Sequence, residues 1–197
     1  MPALRKANAY TRRKACPFTR WSRKKSRSYI KVVPPNKIAK FDCGDSKGNA
    51  HGKYPHVMTV YSEGNIQIRN NALESVRQFM NKKLALAFGE NQFFLKVVPY
   101  PHHIQREHRM LTGAGADRMS TGMQLAFGKS MNKAVLLKKN APIFIIALAS
   151  ESGMPIVRAE LKKIKAKLPG AKRFVYTFVG DKEAKKKADE EAAENRK

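Results

Sequence analysis

From Met1 to Phe41 the chain carries 13 Lys or Arg and no Asp or Glu. Such a stretch has no internal partner for its charge. Arg12-Arg13-Lys14 and Arg23-Lys24-Lys25 repel one another until an outside anion supplies the missing negative charge. Pro2, Pro17, Pro34 and Pro35 interrupt the segment, and no period of 2 or 3.6 residues is sustained. Residues 1–35 are therefore expected to be an extended basic arm that orders on its partner. Arg5, Lys6, Arg12, Arg13, Lys14, Arg20, Arg23, Lys24, Lys25 and Arg27 are its candidate phosphate contacts, Arg for two-pronged contacts and Lys for point-charge neutralisation. Trp21 and Tyr10 offer either stacking platforms for unpaired bases or anchors against the domain.

The whole chain extends the same imbalance, with 40 Lys plus Arg against 15 Asp plus Glu in 197 residues and a net charge of +25. A nucleic acid is the expected partner, because phosphate neutralisation is what such a surface does best. At 42% hydrophobic residues the chain still has enough to bury one core,. No apolar run approaches the roughly 20 residues of a membrane span, and no signal-peptide pattern opens the chain. A soluble, cytoplasmic protein without membrane contact is expected. Cys16 and Cys43, in no recognised spacing, read as free thiols.

Hydrophobic patterning begins after Lys37. Val57–Tyr61 and Ile66–Arg69 read as strands, joined to what precedes them by a polar, glycine-rich link from Asp42 to Pro55. Asn71 followed by Glu74 predicts a capping box, and Leu73, Val76, Phe79, Met80, Leu84 and Ala87 then form one apolar helical face that Gly89 ends. Phe93–Tyr100 reads as a strand and Ile143–Ala149 as a strand buried on both faces. Pro155 opens a second helix, with Ile156, Leu161, Ile164 and Leu168 inward and Lys162, Lys163, Lys165 and Lys167 outward, stopped by Pro169-Gly170. A last strand runs from Phe174 to Val179. The class is α+β, a two-layer α/β sandwich with helices over one face of a mixed or antiparallel sheet. One domain, 36–180, carries the arm in front of it and a charged, solvated tail, 181–197, behind.

Residues 110–133 are read as a long glycine-rich loop inserted in that domain. They hold Gly113, Gly115, Gly122 and Gly128 together with Arg118, Lys129 and Lys133, and little periodicity. Loops of that length in a compact domain are usually functional, and glycines allow close backbone approach to a ligand. Gly128-Lys129-Ser130 does not complete a phosphate-binding P-loop, which needs glycine at the position of Met123. Neither His102, His103 and His108 with Glu107, nor Cys43 with His51 and His56, matches a structural zinc spacing. No catalytic triad or carboxylate pair stands out, so no enzyme activity, metal or cofactor is expected.

The wording Ala114-Gly115-Ala116-Asp117-Arg118, Thr121-Gly122-Met123 and Ala126-Phe127-Gly128-Lys129 resembles the archaeal and eukaryotic ribosomal protein L-ten-e, the universal L-sixteen family of the large subunit. Pro35-Asn36-Lys37-Ile38, Phe41-Asp42, Pro101, His103, Arg106, Met110 and Ala166-Lys167-Leu168-Pro169 extend the likeness to about Val179. The resemblance implies a domain lodged in large-subunit ribosomal RNA beside neighbouring ribosomal proteins, with no homo-oligomer. It also implies that Arg106 and the run Gly113 to Lys129 approach the peptidyl-transferase centre and transfer RNA. Two other classes stay open on sequence: an RNA-acting enzyme built on the histidines, and a general nucleic-acid packaging protein.

Overall fold

The computed structural model describes residues 32–107 and 129–179; the arm, most of the glycine-rich loop and the tail fall outside the described residues. Among the described residues eight strands form two antiparallel sheets. β1 (Asp42–Gly44), β4 (Phe93–Val97), β7 (Pro142–Leu148), β2 (His56–Ser62) and β8 (Lys172–Phe178) lie side by side in that order. β3 (Ile66–Arg69), β6 (Lys129–Leu137) and β5 (His103–Glu107) make the smaller sheet. The sequence expectation of a single sheet is thus corrected, while the α+β class stands. Three helices accompany the strands: α1 (Ser46–Ala50), α2 (Asn70–Phe88) and α3 (Met154–Ile164), the last flanked by single 3-10 turns at Glu151–Gly153 and Lys165–Lys167.

β7 is central in the large sheet, paired with β4 on one side and β2 on the other. That position explains its unbroken apolar run, since Ile143, Phe144, Ile146, Ala147 and Leu148 are all buried,. Helix α2 spans the two sheets, packing against β4 of one and β3 and β6 of the other. Leu73, Val76, Met80 and Leu84 recur at helical spacing on its buried side,. Ala87, expected on that face, is exposed, and Phe88 packs there instead.

The capping box is not formed. β3 runs straight into α2 through Arg69, whose backbone is extended and whose side chain makes no cap, so Asn71 is already inside the helix. Glu74 is taken by Arg77 and Gln78. Gly89 does end the helix, its N–H donating to Ala85 O at 2.9 Å.

The link 42–55 holds more structure than its composition predicts. Asp45 caps α1 by accepting from Gly48 N at 2.8 Å, which holds its carboxyl below the usual carboxylate range,. The Tyr54 hydroxyl lies 3.1 Å from Asp45 Oδ2 and 3.0 Å from Asn91 O and shares its one proton between these acceptors. In α3, Met154, Val157, Leu161 and Ile164 face inward and Ile156, predicted to be inward, is 46% exposed. The helix starts one residue before Pro155, which sets that phase. Gly153, in the turn before α3, fits because a Cβ there would sit 2.7 Å from the Phe88 ring and 2.9 Å from Leu148, so any larger residue would push those side chains aside,.

Candidate nucleic-acid interface

β5 and β6 pair antiparallel as His103↔Ala134, Ile104↔Lys133, Gln105↔Asn132, Arg106↔Ser130 and Glu107↔Lys129, with an irregularity between Gln105 and Arg106. The segment 108–128 therefore leaves and re-enters the domain at neighbouring points. Positions 129–133, assigned to the loop on sequence, belong to β6. Ser130 also donates its hydroxyl to Val32 O at 2.8 Å. Val32 is the first described residue and lies near the end of the arm, so the basic arm and the glycine-rich segment are rooted at one place.

Around that root the smaller sheet has an unusual composition. Ile66, Ile68, Val135 and Leu137 occupy its core side, while the alternate positions Gln67, Arg69, Asn132, Ala134, His103 and Gln105 share the opposite side,. Gln67, His103, Gln105 and Asn132 are polar yet buried. Asn70, where β3 enters α2, is fully buried, and among the described residues neither of its amide atoms nor Gln105 Nε2 has a hydrogen-bond partner. Each such orphan costs about 1–3 kcal/mol, and that cost falls at the root of the arm and loop. Arg106 is half-buried in the same strand, and burial pulls its pKa down.

A second run of cations lies on α3 and the turn after it. Arg158, Lys162, Lys163, Lys165 and Lys167 are exposed. Lys163 meets Glu160 at 2.6 Å. Lys165 lies over the Phe174 ring at 5.3 Å, and Lys167 over Phe79 at 4.7 Å. Beneath them Lys172 is buried and donates Nζ to Lys165 O and Leu168 O, closing the end of the helix,. Burial first, and the charge of Lys165 second, lower its pKa.

Of the sequence-predicted residues, Arg106 lies at the root, and Lys129 is paired there with Glu107 through its backbone. Arg5, Lys6, Arg12, Arg13, Lys14, Arg20, Trp21, Arg23, Lys24, Lys25, Arg27, Gly113, Gly115, Arg118, Gly122 and Gly128 lie outside the described residues. His56, weighed as a metal ligand, shares a hydrogen bond with Tyr176 at 2.8 Å, and Cys43 accepts one from Arg77 at 3.2 Å. Cys43 is a free, buried thiol. Sequence reasoning missed Asn70, Gln105 and Asn132, because polar residues at strand positions read as solvent-facing. No helix among the described residues is long and apolar enough to cross a membrane.

The described residues form an α+β body with antiparallel sheets and a cationic helix, and the sequence in front of it is strongly basic, the make-up of a protein that works against a polyanion. A family model described as ribosomal protein L16p/L10e matches residues 17–175. Curated relatives named large ribosomal subunit protein uL16 are similar along nearly their whole length. The one from Thermoplasma volcanium is 37% identical, covering 87% of this chain and 91% of its own. That from Staphylothermus marinus is 36% identical, covering 88% and 93%. That from Pyrobaculum calidifontis is 36% identical, covering 92% and 97%. This chain belongs to the L16p/L10e family of ribosomal proteins, structural components rather than enzymes.

Proposed function

We propose that the protein is a constituent of the large ribosomal subunit that binds its RNA through the arm and sends segment 108–128 toward the peptidyl-transferase centre and transfer RNA. Neighbouring ribosomal proteins complete its surroundings. The observation that carries this reading is the hydrogen bond from Ser130 to Val32 O, beside the Arg106↔Ser130 pair. It roots the cation-rich arm and the glycine-rich loop at one end of the domain, so both can enter the same RNA cleft. The work is electrostatic and geometric, with phosphates neutralised by the arm and the loop held by a paired hairpin base.

Sedimentation of a gentle lysate through sucrose gradients at low and then moderate salt tests it. Stoichiometric migration with the large subunit at both salts supports the reading, and migration at the top of the gradient overturns it. On purified ribosomal RNA, ten cations meeting phosphates give a slope of about −7 to −9 for log affinity against log salt. Arg106→Ala, or shortening residues 113–128, is expected to impair translation more than thermal stability, since neither change removes a residue of the hydrophobic core.

A further inference from the structure

Helix α3 leans on the β2–β8 part of the large sheet and leaves a groove of about 610 Å³ beside it. We propose that this groove binds an unpaired nucleotide of RNA, with the base against its apolar wall and the phosphates on its basic rim. The inference rests on the RNA-binding reading above and adds a contact surface distinct from the arm and the loop.

The sequence builds the groove from one helical stripe. Pro155, Arg158, Ala159 and Lys162 recur every three or four residues, so they share one exposed flank of α3, beside its buried face of Met154, Val157, Leu161 and Ile164,. Met154 and Tyr176 form the wall beneath. The Tyr176 ring is held in place, its hydroxyl sharing a hydrogen bond with His56 Nδ1 at 2.8 Å and its ring stacked on that imidazole at 14°. A fixed aromatic beside proline and methionine is a preorganised stacking surface that takes any base. The volume falls in the range of sites for single small ligands, roughly 300–1,000 Å³.

Charge selects the occupant. Among the described residues neither Arg158 nor Lys162 has an acidic partner. One turn of helix separates them, about 6 Å along the axis, which suits adjacent phosphates of one strand. Glu151, the one acid on the lining, stands at the other end of the stripe, where it can accept from a base amino group. An apolar protein segment would leave these cations unpaired, and duplex RNA keeps its bases out of reach. An unpaired nucleotide satisfies both the wall and the rim.

The test uses the full chain with methyl-labelled methionine, followed by NMR while a single-stranded oligoribonucleotide is added. The Met154 methyl is expected to move upfield under the ring current of the stacked base, and inorganic tripolyphosphate is expected not to move it. Ala159→Trp fills the groove from an exposed helix position. It should abolish the movement and weaken strand binding about 5-fold or more while leaving the salt slope unchanged. Lys162→Gln should instead reduce the slope by about 0.7, the contribution of one phosphate contact on a single strand. Equal movement with tripolyphosphate, or larger movement with a peptide of residues 181–197, overturns the proposal. So does an unmoved Met154 in a chain saturated with the strand, a result that leaves RNA binding intact. No binding of the strand at all would sink the underlying reading as well.

Discussion

Replacing Glu74 with Gln should expose how strongly α2 is fastened to the segment that follows the arm. The Glu74 carboxylate accepts from Arg77 at 2.8 Å and 2.6 Å in a two-pronged pair, and from Gln78 at 2.8 Å. It also receives the Ala39 N–H at 3.4 Å, while Arg77 reaches on to Cys43 of β1. The Arg77 contact, above all, holds the Glu74 carboxyl below its ordinary value, and the same pairing raises the Arg77 pKa. The two side chains keep only 11% and 13% exposure, so the variant leaves a nearly buried guanidinium without its counter-charge. Breaking a fully buried pair costs about 3–5 kcal/mol. Partial exposure and the acceptor that Gln retains bring the expected loss to about 2–3 kcal/mol, or roughly 5–10 °C in Tm. Urea unfolding followed by far-UV circular dichroism measures it. Because the folded pKa is depressed, the contribution of Glu74 is complete above its ordinary value of 4.5 and is lost as pH falls through the lower folded value,. The gap between parent and variant should therefore close on acidification below that point and stay constant near neutrality. A gap under about 0.5 kcal/mol, the size of an exposed pair, would refute the reasoning, as would a gap indifferent to acid.

Gly44 and Gly52 both have positive φ, yet a Cβ at Gly44 would lie 2.1 Å from Phe93 O while one at Gly52 meets nothing. Gly44→Ala should thus cost several times more than Gly52→Ala, for which about 1 kcal/mol of backbone strain is expected; equal losses in urea unfolding would refute the close approach. Lys172→Met removes two hydrogen bonds at the end of α3 and should lower Tm. Since the folded pKa of Lys172 is depressed, the unfolded chain binds more protons above that value. The parent should therefore gain stability over the variant as pH rises toward 10.5, and a difference that shrinks in that range contradicts the assignment,. Deleting residues 1–31, which hold 11 Lys or Arg, should leave the circular dichroism of the domain intact and flatten the salt dependence of RNA binding severalfold. An unchanged slope would move the phosphate contacts elsewhere.

Elements with a long, regular pattern were legible in the sequence. α2 announces itself through Leu73, Val76, Met80 and Leu84, and β7 through its unbroken apolar run. β1 and β5 were not legible, because Asp42-Cys43-Gly44 and His103-Ile104-Gln105-Arg106-Glu107 are strands only by virtue of the neighbours they pair with. Ile156 was misassigned for a related reason. Helix phase is fixed by where the turn begins, and a proline at its second position marks that start only to within a residue. The functional reading leaned on charge and on the glycine-rich wording, both one-dimensional signals. The nearness of Val32 to Ser130 spans 98 positions and exists only after β5, β6 and β3 have paired.

That nearness changes how the molecule meets an extended polyanion. On the proposed reading, the basic arm and the glycine-rich loop, anchored at a single point, act as a bivalent ligand. Once one prong has engaged, the other searches a small volume around it at a local concentration in the millimolar range for short flexible tethers. Release would then require both prongs to let go together, which would lengthen the lifetime on RNA far beyond what either segment's own affinity gives. On that reading, severing the Val32 tether at the root would turn one long-lived contact into two transient ones without removing a single charge.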